Sequence, residues 1–153
     1  MKQRNAGFTL IEMMVALAIG GIMTVMAVPN LSDMREGYRL RAATFDVFAA
    51  LQRARSEAVK KNNNYRFSLV DQTTYRMHDD TDDDGVVDAG ETVTQRNVTL
   101  DAPGTKLFYW SPPFDFLPDG TRTGAWWTAV LVVNAQWEYK WIQVSPTGRI
   151  QVL

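Results

Sequence analysis

Residues 8–28 read FTLIEMMVALAIGGIMTVMAV, and the seven residues before them read MKQRNAG. The only formal charge in the longer stretch is Glu12. At the helical rise this run is about 30 Å long, the thickness of one bilayer core. Lys2 and Arg4 precede it, and basic residues beside an apolar run hold that end in the cytoplasm and place the rest of the chain outside. A secretory signal is the competing reading. Its apolar region is shorter, however, and ends in a small-residue cleavage site. Here the small residue, Gly7, comes before the apolar run, and Pro29-Asn30 follows it without an A-x-A site. Cleavage at Gly7 would remove the leader and keep the helix.

Gly7-Phe8-Thr9-Leu10-Ile11-Glu12, followed by an apolar helix with Pro29 near its end, resembles the class III signal of type IV prepilins. The resemblance implies cleavage between Gly7 and Phe8 by a prepilin peptidase and methylation of the new Phe8 amine. It makes Glu12 the fifth residue of the mature chain, where the family places its acidic residue. The physical reading agrees, because a carboxylate inside an apolar span is costly and usually functional. Its expected partner is the Phe8 amine of an adjacent subunit, which would offset the burial of both charges and fix axial register. The competing reading is an ordinary membrane anchor with a stray acid.

The bulk composition narrows the remaining choices. The 153 residues suffice for one membrane segment and one modest domain. Sixteen Lys and Arg against seventeen Asp and Glu leave no basic footprint of the kind nucleic-acid binding requires. There is no cysteine, hence no disulfide or thiolate metal site. A single histidine, His78, argues against a His-based zinc site or a Ser-His-Asp triad, and reads as a surface residue. No nucleophile–base pair or phosphate loop is visible, so an enzyme is not expected.

Beyond Pro29, which should bend or loosen the helix, residues 31–61 read as an amphipathic helix. Leu31, Met34, Tyr38, Phe45, Phe48 and Leu51 make its apolar stripe, and Asn62-Asn63-Asn64 ends it. Strands are predicted at 65–70, 74–77, 92–100, 126–133, 136–144 and 149–153, with a Pro-rich loop at 111–120 and a hairpin turn near Asn134. Most of the five tryptophans (110, 126, 127, 137 and 141) read as core or helix-packing residues. The expected organisation is a leader (1–7), a transmembrane and assembly helix (8–29) and a periplasmic domain (30–153), whose β region spans about 65–153. This is an α+β, pilin-like fold, with a long N-terminal helix packed on an antiparallel sheet domain.

Three strings within that domain, LRAATFDVFAALQRARSEAVKKNN (40–63), Phe116-Leu117-Pro118-Asp119-Gly120 and Ser145-Pro146-Thr147-Gly148-Arg149-Ile150, resemble the GspH/FimT family. That resemblance implies a minor pilin or pseudopilin of a type II secretion system or type IV pilus. Such a subunit would be held in the inner membrane by a single pass, sit at or near the filament tip, prime assembly and contact other major and minor subunits. Some members capture DNA for natural transformation through a C-terminal Gly-Arg-x-Arg motif. Here the stretch is Gly148-Arg149-Ile150-Gln151, so only Arg149 is kept, and phosphate neutralisation there is halved. Arg53, Arg55, Lys60 and Lys61 could extend a basic patch, although a charged helix face is commonly just solvated.

The sharpest chemical pattern runs from Asp80 to Glu91 (DTDDDGVVDAGE). Asp80, Asp82, Asp84, Asp88 and Glu91 occupy positions 1, 3, 5, 9 and 12 of a calcium loop, with Gly85 at 6 and the Val86 carbonyl at 7. The flanks read as strands, which makes it a calcium loop closing a β-hairpin and not an EF-hand. A solvated acidic turn is the competing reading. No cofactor other than calcium is suggested.

Overall fold

The computed structural model describes residues 8–110 and 113–153, except for the side chains of 27–33. Gly7, Lys2 and Arg4, which carry the leader reading, lie outside the described residues. The chain divides into two compact units, Met1–Arg35 and Glu36–Leu153. A single helix, α1 (Leu10–Lys61), contributes to both and is unbroken at Pro29.

In the first unit the helix begins with a reciprocal cap. The Glu12 amide donates to Thr9 Oγ1 at 3.3 Å, and the Thr9 amide donates to Glu12 Oε2 at 3.5 Å. This is the capping box, in which two otherwise orphaned amides are satisfied at once. From Phe8 to Met26 every side chain is exposed. Among the described residues no helix is long and apolar enough to cross a membrane. The run expected to do so continues past Met26 into the residues whose side chains are not described.

In the second unit the helix buries Leu40, Ala43, Val47, Ala50, Leu51, Ala54 and Ala58, a face repeating every three or four residues. This corrects the expected stripe. Only Leu51 is fully buried and Phe48 partly so, while Met34, Tyr38 and Phe45 are exposed, and the Leu31 side chain is not described. The reason is volume. Close approach of the helix to the sheets selects alanine at the contact, and large side chains fall elsewhere; Phe45 lies about 200° around the axis from Val47. The helix ends at Asn62, which adopts the left-handed conformation (φ 53°), and the Asn63 amide donates back to the Ala58 carbonyl at 3.2 Å.

Eight strands follow: β1 (Asn64–Leu69), β2 (Thr74–Asp80), β3 (Val93–Asn97), β4 (Lys106–Tyr109), β5 (Phe114–Phe116), β6 (Thr128–Val133), β7 (Tyr139–Val144) and β8 (Ile150–Val152). They form two antiparallel sheets, ordered β3-β2-β1-β5 and β4-β6-β7-β8. β4 is absent from the sequence reading, and β5 lies inside its Pro-rich loop. Both are too short to show alternation, yet the β5 register places Phe114 and Phe116 beside Phe67 and Tyr65 in the core. Residues 98–100, expected as strand, form a 3-10 turn capped by Asn97. The Phe67 ring stacks on Tyr75 (5.6 Å) and Phe114 (5.9 Å), and the Tyr109 hydroxyl of the second sheet donates to the Phe67 carbonyl at 3.1 Å. One core therefore joins the helix and both sheets.

The tryptophans are not in it. Trp110, Trp126, Trp127 and Trp137 are between 51% and 85% exposed. Trp141 is half-buried on the outer face of β7, where alternation turns Ile142 and Val144 inward. It meets Trp110 and Tyr139 edge-on at 5.8 and 6.4 Å. Phe, Val and Ile already fill the interior, and four of the indoles sit on turns or just beyond strand ends. Enlarging the helix contact with Ala54→Leu is expected to cost about 1–3 kcal/mol by overpacking. Phe45→Ala should stay within about 0.5 kcal/mol of wild type, as a surface change does. Urea-unfolding midpoints measure both.

Candidate functional site

Two of the three strings that carry the family resemblance are the same turn built twice. In Leu117-Pro118-Asp119-Gly120 and in Ser145-Pro146-Thr147-Gly148, the glycine amide donates to the first carbonyl (2.8 and 2.9 Å). The first amide in turn donates to the carbonyl of the residue after the glycine, Thr121 or Arg149 (both 2.9 Å). Proline sets the second position, and both glycines have positive φ (78° and 75°), as a tight turn with a glycine bulge requires. The turns lie against each other, with the Arg122 amide donating to the Pro146 carbonyl at 2.9 Å.

The third string supplies their tie. Arg55, on the ARSEA segment of α1, donates from Nε to the Gly120 carbonyl (2.8 Å) and from Nη2 to the Thr147 carbonyl (3.5 Å). A β-carbon at Gly148 would collide with the Gly120 carbonyl and crowd Arg55 Nε at 2.9 Å. These motifs build the fold.

The acidic segment joins β2 to β3, and Asp80 is the last residue of β2. Carboxylate oxygens of Asp80, Asp82 and Asp84 lie within 4.8 Å of one another. Asp80 is 1% exposed, and its Oδ1 has no hydrogen-bond partner among the described residues. Its Oδ2 is 3.7 Å from Arg66 Nε, but that guanidinium is committed to Asp115 at 2.5 and 3.1 Å. The Asp84 carboxylate accepts from the Val86 amide (2.6 Å), and Gly85 takes φ 75°. Glu91 clamps the loop, accepting from the Thr81 amide (2.9 Å) and the Asp88 amide (3.0 Å), which holds its carboxyl below the usual range. Asp88 is pushed the other way, chiefly by Asp84, then by desolvation and by Asp82, Glu91 and Asp80. Arg66 sits directly behind Gly85, and Asn64 Nδ2 donates to Asp83, tying the loop to β1.

His78 lies elsewhere than its surface reading placed it. It is fully buried and not on the surface, because β2 runs three residues beyond its expected end and places His78 between Arg66 and Val93. Neither ring nitrogen has a hydrogen-bond partner among the described residues, and burial holds its pKa below the ordinary value.

Several of the basic residues are engaged by other groups. Arg149 is exposed, and its amide is fixed by Ser145 Oγ at 3.0 Å. Of the helical bases expected to extend a patch, Arg55 is the tie described above. Lys61 pairs with Asp79 at 2.8 Å, and Lys60 lies 3.8 Å from Glu57. Arg55→Met, which keeps the stem and loses the guanidinium bonds, is expected to destabilise by about 1.5–3 kcal/mol. Gly148→Ala should cost at least about 2 kcal/mol, from strain and collision with backbone. In denaturant titrations the double variant should fall short of the sum, since both changes break one contact.

Comparison with known proteins places both halves of the chain. Residues 2–28 match the prokaryotic N-terminal methylation motif, and residues 43–148 match the type II transport protein GspH. Type II secretion system core protein G of Aeromonas hydrophila is 39% identical over 64 residues, which span 42% of this chain and 44% of that protein. Among solved structures, the type IV minor pilin FimU of Pseudomonas aeruginosa matches with a TM-score of 0.61 at 18% identity, covering 78% of this chain and 92% of that one. The minor pseudopilin EpsH of Vibrio cholerae matches with a TM-score of 0.57 at 15% identity, covering 75% and 96%. With a prepilin-type N-terminus and a GspH match over more than half its length, the chain belongs to the GspH family of pilin-like proteins.

Proposed function

We infer that this protein is a minor subunit of a type II secretion pseudopilus or a type IV pilus. In this reading it is processed between Gly7 and Phe8 and anchored by its first helix in the inner membrane, with the β domain in the periplasm. Its place is at or near the filament tip, where it primes addition of other subunits; it is a structural protein and not an enzyme. The observation that carries this is the exposed run from Phe8 to Met26, which offers apolar side chains that nothing in the described chain covers. Lipid before assembly, and neighbouring helices after it, supply the missing contacts.

Glu12 has two separable roles. It closes the capping box on Thr9, and it offers a carboxylate to the Phe8 amine of a neighbouring subunit. Glutamine fills the capping position as well as glutamate but carries no charge. Glu12→Gln and Glu12→Val are therefore both expected to be cleaved normally, and both to lower incorporation into filaments severalfold. Leader removal and subunit content of sheared filaments, read by immunoblot, measure this. Normal incorporation of Glu12→Gln alone would reduce the role of Glu12 to capping.

DNA capture by a tip subunit is the alternative function. Arg149 would bind phosphate in it, and its support is limited to that one exposed base. A low-salt gel shift of the protein, lost in Arg149→Ala, is the expected result under that alternative.

A further inference from the structure

We propose that the β2–β3 loop is a calcium site, with the carboxylates of Asp80, Asp82 and Asp84 as its ligand core. Calcium binds oxygens at roughly 2.3–2.6 Å, so two oxygens on one ion lie at most about 5 Å apart. The three carboxylates already satisfy that limit.

Acidic turns are common, and convergence alone does not make a site. The second observation is Asp80 itself. Its side chain is 1% exposed, on the last residue of a central strand, and its Oδ1 has no hydrogen-bond partner among the described residues. A buried carboxylate oxygen without a donor is expensive. The nearest cation does not remove the cost, because Arg66 makes its short contacts to Asp115 and approaches Asp80 only at 3.7 Å. Apart from Arg66, the charged groups that converge with Asp80 are the carboxylates of Asp82 and Asp84. An ion bound among them would give the buried Asp80 carboxylate a close positive partner.

The chemistry selects among ions. The ligands are hard oxygens with high negative charge, which suits calcium, whereas magnesium needs near-octahedral geometry and keeps most of its water. The buried His78, the chain's one imidazole, lies two residues before the loop on the strand. Soft-metal chemistry is therefore disfavoured. Glu91, at the position where a calcium loop has its bidentate ligand, here accepts two loop amides and sets the loop's closed form. The ligand core stands without it, and the remaining oxygens are left to Asp88, backbone and water.

The site borders the end of α1. Asn63 Nδ2 donates to Asp79 Oδ1 (2.6 Å) and Lys61 pairs with Asp79 Oδ2, one residue before Asp80. Calcium would thus fasten the loop to the strand that holds the helix terminus.

The test uses the full chain in detergent, stripped with a chelator and titrated with calcium or magnesium alone. Wild type is expected to give a calorimetric heat and a melting temperature higher by about 5 °C in millimolar calcium, with little response to magnesium. Asp82→Asn with Asp84→Asn, both exposed and so tolerated by the fold, should weaken calcium binding at least about tenfold. Absence of heat and shift in wild type up to about 10 mM calcium would overturn the site. An equal shift in the double variant would overturn the ligand assignment, and an equal response to magnesium would overturn the choice of ion.

Discussion

One guanidinium holds three parts of the domain in register. Arg55 reaches from the helix to the Gly120 carbonyl, in the turn after the first sheet's last strand in sequence, and to the Thr147 carbonyl, in the turn joining β7 to β8 of the second. Each partner is a backbone carbonyl, so the bonds fix chain position and not side-chain placement. The charge strengthens bonds that a neutral donor would make more weakly. The alanine face beneath it lets the helix come close enough for the reach. Substituting bulk along that face, or a β-carbon at Gly148, would push apart elements that the arginine must span.

This explains which features were legible in the sequence. The apolar run, the helix end at Asn62 and the hairpin at Asn134 are local, and their residues carry the signal directly: continuous hydrophobicity, a left-handed asparagine, an asparagine side chain satisfying loop amides at Gln136 and Glu138. The ARSEA, FLPDG and SPTGR strings were visible as a resemblance, but their meaning was not. Only the tertiary structure shows that they meet. The acidic pattern likewise gave the spacing of the carboxylates, while the burial of Asp80 depends on how far β2 extends.

Side-chain size is a poor guide to burial in this protein: Phe45 and four of the tryptophans lie outside, and the lone histidine lies inside. In this small domain the interior is set by approach distance and strand register. Alanine wins where backbones come close, and Phe67, Phe114 and Phe116 win where three strands align their inward faces. His78 is buried because its strand neighbours are. The capping box Thr9-Leu10-Ile11-Glu12 is local as well, its signal being the Thr-x-x-Glu spacing. The Glu12 carboxylate starts the helix, and in the proposed assembly role the same charge would meet a neighbour's amine.

The exposed indoles have an optical consequence. With four of five tryptophans more than half open to solvent, the intrinsic emission of the isolated protein is largely a surface signal, already near the long-wavelength limit of hydrated indole. Unfolding would change its colour little. Burial of one or more of these indoles against another subunit would shift it to the blue, giving an association readout that needs no added label.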